Sequence, residues 1–118
     1  MHLFTYGSLM DPDVWLRAAG RPFPWEHAAL RNYEARAIRG VNFPGLIEAP
    51  GSIATGILYR DIDAPTFARL DEYEDDFYQR IAVNVETASG ITLIAQVYLM
   101  APEHRSGVFP GIWTPTSN

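Results

Sequence analysis

The sequence predicts an α+β domain: a small mixed β-barrel with short helices. Three observations point to it. Residues Ile81 to Thr87 alternate, with Ile81, Val83 and Val85 on one face and Ala82, Asn84 and Glu86 on the other, which is the two-residue period of a strand. Ala88-Ser89-Gly90 then turns the chain into a second apolar run, Ile91 to Met100, so this part of the sheet is an antiparallel hairpin. Asp11-Pro12-Asp13 and Asp63-Ala64-Pro65 each start a short helix between strands, because an Asp cap followed by an early Pro suits a helix N-terminus. The 118 residues fit one domain, residues 1–118. So few residues cover a sheet most economically when it closes, or half closes, on itself.

His2 to Thr5 reads as the first strand, which breaks abruptly at Tyr6-Gly7-Ser8-Leu9. The first helix carries Val14, Trp15 and Leu16 and stops at Gly20, with Pro22 beyond. His27 to Ile38 reads as a strand with its flanks. Asn42 to Gly51 holds two Pro and two Gly in ten residues and reads as a loop or irregular edge. Ile53 to Tyr59 alternates β-formers and is the next strand. The second helix runs through Leu70 to about Glu74. Ile91 to Met100 is apolar on both faces, so burial on both is expected. The tail from Pro102 reads as irregular, pinned by Phe109 and Trp113.

Composition excludes several functional classes. The absence of cysteine removes disulfides and thiolate metal sites and fits a cytoplasmic location, which is the expectation here. No basic segment followed by an apolar one opens the chain, so no signal peptide is expected. No apolar run reaches the roughly 20 residues that span a bilayer. The net charge of −5 with no basic patch argues against nucleic acid as a partner. A monomer is expected.

Five acids lie between Asp71 and Asp76 in the stretch from Arg69 to Arg80. Most read as a solvated acidic helix end. Helical spacing separates one from the others. Phe67 and Leu70 mark the apolar face, and Glu74 lies seven and four residues beyond them. Glu74 therefore faces inward, Glu72 and Asp75 face away, and Asp71 lies at the margin. A carboxylate aimed inward is costly unless it is paired or neutral. Two readings stand level: a carboxyl whose pKa burial raises, suited to proton transfer, or an inward Glu bonded to Arg80 or a backbone amide.

Other constellations are weaker. Ser8 follows Gly7, but there is no G-x-S-x-G elbow, and no motif ties His2, His27 or His104 to it. The acidic run lacks calcium-loop spacing, the histidines lack zinc-ligand spacing, and Gly-Ser-Leu is too short for a dinucleotide loop. No metal or organic cofactor is expected. Arg17, Arg21, Arg31, Arg36, Arg39 and Arg60 are scattered and read as surface residues, the alternative being that one of them binds a carboxylate.

Tyr6-Gly7-Ser8-Leu9 directly after the first strand, with Leu70-Asp71-Glu72-Tyr73-Glu74 and Tyr78-Gln79-Arg80 later in the chain, resembles the γ-glutamylcyclotransferase-like family, which includes the AIG2-like proteins and the γ-glutamylamine cyclotransferases. Asn42-Phe43-Pro44-Gly45 resembles the family's mid-chain loop. Gly56-Ile57-Leu58-Tyr59 and Val97-Tyr98-Leu99 resemble two of its strands. The likeness covers nearly the whole chain. It implies a small mixed barrel with short helices, a substrate-binding loop at Tyr6, Gly7, Ser8 and Leu9, and Glu74 as general acid/base. Many members of the family have Gly directly after the catalytic Glu; here Asp75 stands there, so a different loop geometry is expected.

The implied reaction turns a γ-glutamyl amine or γ-glutamyl amino acid into 5-oxoproline and a free amine, with no cofactor. Tyr78 and Tyr98 are candidates for the pocket wall, packing aromatics with wet hydroxyls being the alternative. The turn at Gly7, together with the first helix's N-terminus, would present backbone N–H groups to an anionic group. A non-catalytic binding or interaction module of the same fold is the alternative function.

Overall fold

The computed structural model describes residues 1–38, 44–100 and 108–112. Strands β1 (Leu3–Thr5), β2 (Trp25–Ile38), β3 (Pro44–Tyr59), β4 (Tyr78–Thr87) and β5 (Thr92–Met100) form the sheet. Their order is β3-β1-β5-β4-β2, and β2 pairs again with β3, so the five strands close into a barrel. β1 runs parallel to β5 and the other pairings are antiparallel, making the barrel mixed. A further strand, β6 (Val108–Ile112), adds to β2 through Arg36 and Ile38. The irregular tail expected from Pro102 is therefore corrected over residues 108–112, which find a sheet edge to pair with. Trp113 lies outside the described residues. Among the described residues, no helix is long and apolar enough to cross a membrane.

Helices α1 (Pro12–Ala19) and α2 (Ala64–Glu74) begin where their Asp-Pro signals stand. Asp11 accepts the amides of Asp13 and Val14, and Asp63 accepts the amide of Thr66, satisfying N–H groups the first helical turn leaves over. Gly20 ends α1 at φ 92°, the left-handed conformation that glycine adopts without penalty.

Two cores result from strand alternation. Phe4, Leu30, Leu46, Leu58, Val85 and Val97 share one cluster that includes no helical residue, the barrel lumen. Leu3, Trp15, Tyr59, Phe67, Leu70 and Tyr98 share the other, between the barrel wall and the helices. Trp15 stacks on Tyr59 with ring centroids 3.6 Å apart. β5 is buried on both faces only from Val97 to Met100, and Ile94 is 68% exposed. The expectation of burial on both faces throughout is corrected, since the helices reach only half of this strand.

The segment expected to be a loop or irregular edge, Asn42 to Gly51, is an irregular strand from Pro44 onward. Pro44 opens β3, where a missing N–H costs little. Pro50 and Gly51 fall in a bulge: Arg31 pairs with Ile53 but Tyr33 pairs with Glu48, leaving Asn32 opposite several residues. Asn32 and Gly51 both have positive φ, 68° and 86°, and Asn32 Oδ1 accepts the Gly51 amide at 3.1 Å. The bulge bends the β2–β3 ribbon. Asn42 and Phe43 lie outside the described residues. Gly56 serves a different end: a Cβ there would stand 1.9 Å from the Thr5 carbonyl oxygen, so only glycine lets β1 pass.

Candidate functional site

β1 ends at Thr5 and the chain turns into a single 3₁₀ turn, Ser8–Met10. Met10 and Asp11 close it by donating to the Gly7 and Ser8 carbonyls, each at 3.0 Å. The amides of Gly7, Ser8 and Leu9 donate to no acceptor among the described residues. Gly7 has an ordinary negative φ of −131°. Its requirement is space: a Cβ there would meet Pro44 Cγ at 2.8 Å. The Tyr6–Leu9 loop and the start of β3 thus lie against each other.

At the end of α2, Phe67 and Leu70 are buried and Glu74 follows in phase. Glu74, Tyr6, Gly7, Ser8, Leu9, Tyr78 and Tyr98 line one small cavity of about 30 Å³, together with Phe4, Thr5 and Pro44. All seven residues singled out in the sequence therefore meet in one place. Phe4, Thr5 and Pro44 were not among them; Pro44 carried a signal, its place in the family-like Asn-Phe-Pro-Gly segment.

Burial pushes the Glu74 carboxyl up from 4.5 to about 7. No hydrogen bond or ion pair engages it among the described residues. Arg80, the alternative partner, pairs instead with Asp71, Nε to Oδ1 at 3.0 Å. Glu72 and Asp75 are exposed.

The three phenols around Glu74 are all committed to other acceptors. Tyr6 donates to the Tyr98 carbonyl at 2.6 Å, Tyr78 to the Pro44 carbonyl at 2.6 Å, and Tyr98 to Asp71 Oδ1 at 2.7 Å. Burial raises each of these phenols well above its ordinary value, with smaller contributions from neighbouring charges, including Glu74. Leu9 buries its side chain in the helix-side core, and its carbonyl accepts from Tyr59 at 2.9 Å. Ser8 is exposed.

One expectation needs correction. The N-terminus of α1 is capped by Asp11, and none of its residues lines the cavity. The residue after Glu74, Asp75, adopts φ 59° and ψ −162°, a region occupied almost solely by glycine.

His2 and His27 lie outside the cavity, and His2 Nδ1 accepts the Asp61 amide at 3.2 Å. His104 and Arg39 lie outside the described residues. Arg21, Arg31, Arg36 and Arg60 pair with Asp63, Glu86, Glu34 and Glu26. Like Arg17, they are absent from the cavity wall.

A family model described as gamma-glutamyl cyclotransferase, AIG2-like, matches residues 3–114. AIG2-like protein D of Arabidopsis thaliana is 29% identical over 116 residues, covering 96% of this chain and 76% of the relative. A solved structure of an AIG2-like protein from Mus musculus superposes with a TM-score of 0.72 at 23% identity, covering 99% of this chain and 97% of that one. Another, named gamma-glutamyl cyclotransferase, gives a TM-score of 0.75 at 18% identity, covering 88% of this chain and 73% of that one.

Proposed function

The chain belongs to the gamma-glutamyl cyclotransferase, AIG2-like family, and from that premise we propose that it converts a γ-glutamyl amine or γ-glutamyl amino acid to 5-oxoproline and a free amine, with Glu74 as general acid/base. Family and fold support a cyclotransferase-type function. The observation that carries the finer reading is the Glu74 carboxyl: partly buried, unpaired among the described residues, and sharing a cavity with the Tyr6–Leu9 loop.

A γ-glutamyl substrate carries its own nucleophile. Its α-amino nitrogen attacks the γ-carbonyl carbon, a five-membered ring closes, and the amide bond to the leaving amine breaks. Proximity within one molecule supplies much of the rate. Ionised Glu74 takes the proton from the α-ammonium and returns one to the leaving nitrogen. A carboxyl near pH 7 exchanges protons readily in both directions at neutral pH. The unused amides of Gly7, Ser8 and Leu9 would bind the substrate carboxylate or the oxyanion. Tyr6, Tyr78 and Tyr98 would form the wall.

The cavity of about 30 Å³ is small beside a γ-glutamyl group and is open on one side, so a bound substrate would extend beyond it. A cavity this small favours, as a second reading, a non-catalytic module of this fold.

Incubation with a panel of γ-glutamyl amines, amino acids and peptides, assayed for 5-oxoproline, decides between them. Turnover lost in Glu74→Gln and kept in Glu72→Gln is the expected result. No 5-oxoproline from any compound, or most of the rate surviving in Glu74→Gln, would remove the catalytic reading.

A further inference from the structure

Tyr98 stands between two spaces. It lines the Glu74 cavity and also an open outer cleft of about 620 Å³ that it shares with Asp71, Glu72, Asp75 and Arg80. Its backbone is held by the Tyr6 hydroxyl, 2.6 Å from its carbonyl oxygen. Its own hydroxyl goes to Asp71 Oδ1 at 2.7 Å. Asp71 is fixed in turn by Arg80, whose Nε lies 3.0 Å from Oδ1 and whose second nitrogen lies 3.2 Å from Oδ2. The guanidinium rests over the buried Phe67 ring at 4.5 Å. An acceptor on the surface end of α2 is thus anchored to the core and meets a phenol from the cavity wall.

The groups facing Glu74 make that contact consequential. The loop after β1 presents Tyr6, β4 presents Tyr78 and β5 presents Tyr98. No cation lines the cavity among the described residues, and the nearest acid on Glu74's own helix face is Asp71, one turn back. Tyr6 and Tyr78 give their protons to backbone carbonyls. Tyr98 alone gives its proton to a side chain, so its commitment depends on one residue.

On the reading that Glu74 moves protons, we propose that Asp71 is a positioning residue: by accepting the Tyr98 hydroxyl on the cleft side, it withholds that donor from the Glu74 carboxyl and leaves the carboxyl free of a hydrogen bond that would hold it ionised. A partly buried hydroxyl that loses its acceptor takes another within reach. Tyr98 and Glu74 share a cavity wall, and the charge on Glu74 is felt at the Tyr98 phenol. Without Asp71, the Tyr98 hydroxyl turns to Glu74, stabilises its carboxylate and weakens it as a base.

Carbon-13 NMR of glutamate-labelled protein tests this without substrate, the Glu74 carboxyl signal being identified by its loss in Glu74→Gln. In Asp71→Ala the Glu74 midpoint should fall by about one pH unit or more, the effect of a new hydrogen bond to the charged form. In Asp71→Asn, whose amide oxygen still accepts from Tyr98, it should stay near the wild-type value. In Asp71→Ala/Tyr98→Phe, which has no hydroxyl to misdirect, it should return toward wild type.

Loss of the Asp71 charge alone would also lower the Glu74 midpoint, but equally in Asp71→Asn, and the double variant would not recover. That pattern overturns the proposal, as does an unchanged midpoint in Asp71→Ala. Circular dichroism checks folding, and Asp71→Asn separates the two accounts even without the alanine variant. If the wild-type protein forms no 5-oxoproline, the catalytic reading falls on its own, while this titration still shows whether Asp71 sets the state of Glu74.

Discussion

Replacing Glu74 by Gln should make the protein more stable at alkaline pH while abolishing turnover. Burial moves the Glu74 carboxyl from 4.5 to about 7. Between those values the folded chain holds a proton that the unfolded chain has released. The folded state therefore binds more protons, and stability falls as pH rises through this window. The loss is absent below 4.5 and complete above 7. At about 1.4 kcal/mol per pH unit, it amounts to about 3 kcal/mol. Gln is neutral throughout, keeps the shape of the side chain and escapes this loss. Urea unfolding of both proteins at pH 4.5 and pH 8 measures the difference. The two should unfold alike at pH 4.5. At pH 8 the Gln midpoint should lie higher by about 1 M or more, with an unchanged slope. A difference that does not vary with pH, or a Gln variant weaker at pH 8, would refute the claim that an uncompensated buried carboxyl occupies this position.

Other outcomes follow from the same geometry. Asp75→Gly should stabilise the fold by about 0.5–2 kcal/mol, the relief of a conformation glycine accepts freely less the extra freedom glycine has when unfolded; thermal unfolding measures it, and a lower midpoint would contradict the strained backbone. Gly7→Val drives a side chain into Pro44 and should cost about 1–3 kcal/mol of stability, with weaker binding of 5-oxoproline by titration calorimetry. Ser8→Ala should shift stability by no more than about 0.5 kcal/mol, and an inactive Ser8→Ala with a near-normal Gly7→Val would reverse that order and point to a serine nucleophile. Gly56→Ala, whose methyl would fall 1.9 Å from a backbone oxygen, should leave little folded protein by circular dichroism.

What could be read from the sequence was whatever local rules govern. The Asp-Pro helix starts, the glycine stop of α1 and the β4–β5 hairpin are set by a few adjacent residues, and all formed as read. Glu74 was legible because three residues in helical phase share one face. The first half of β3 was not, because proline and glycine signal a loop unless a bulge absorbs them, and the bulge needs Asn32 from another strand. The Asp71–Tyr98 contact joins residues 27 apart in sequence, beyond any spacing rule. The left-handed backbone at Asp75 was hidden because aspartate does not announce it.

Closure of the barrel has a consequence for how the site comes into being during folding. β1 meets β5 where Leu3 registers with Gln96, and the Tyr6 hydroxyl reaches the Tyr98 carbonyl across a separation of 92 residues. Contacts between such distant positions form late, because a long loop must be closed before they return any stability. A chain emerging from the ribosome can complete α1, the β2–β3 ribbon and α2 while the cavity still lacks a wall. Glu74 is then more open to water until the fifth strand arrives and the seam shuts. Its raised proton affinity comes from burial, and an opening of that seam would weaken it.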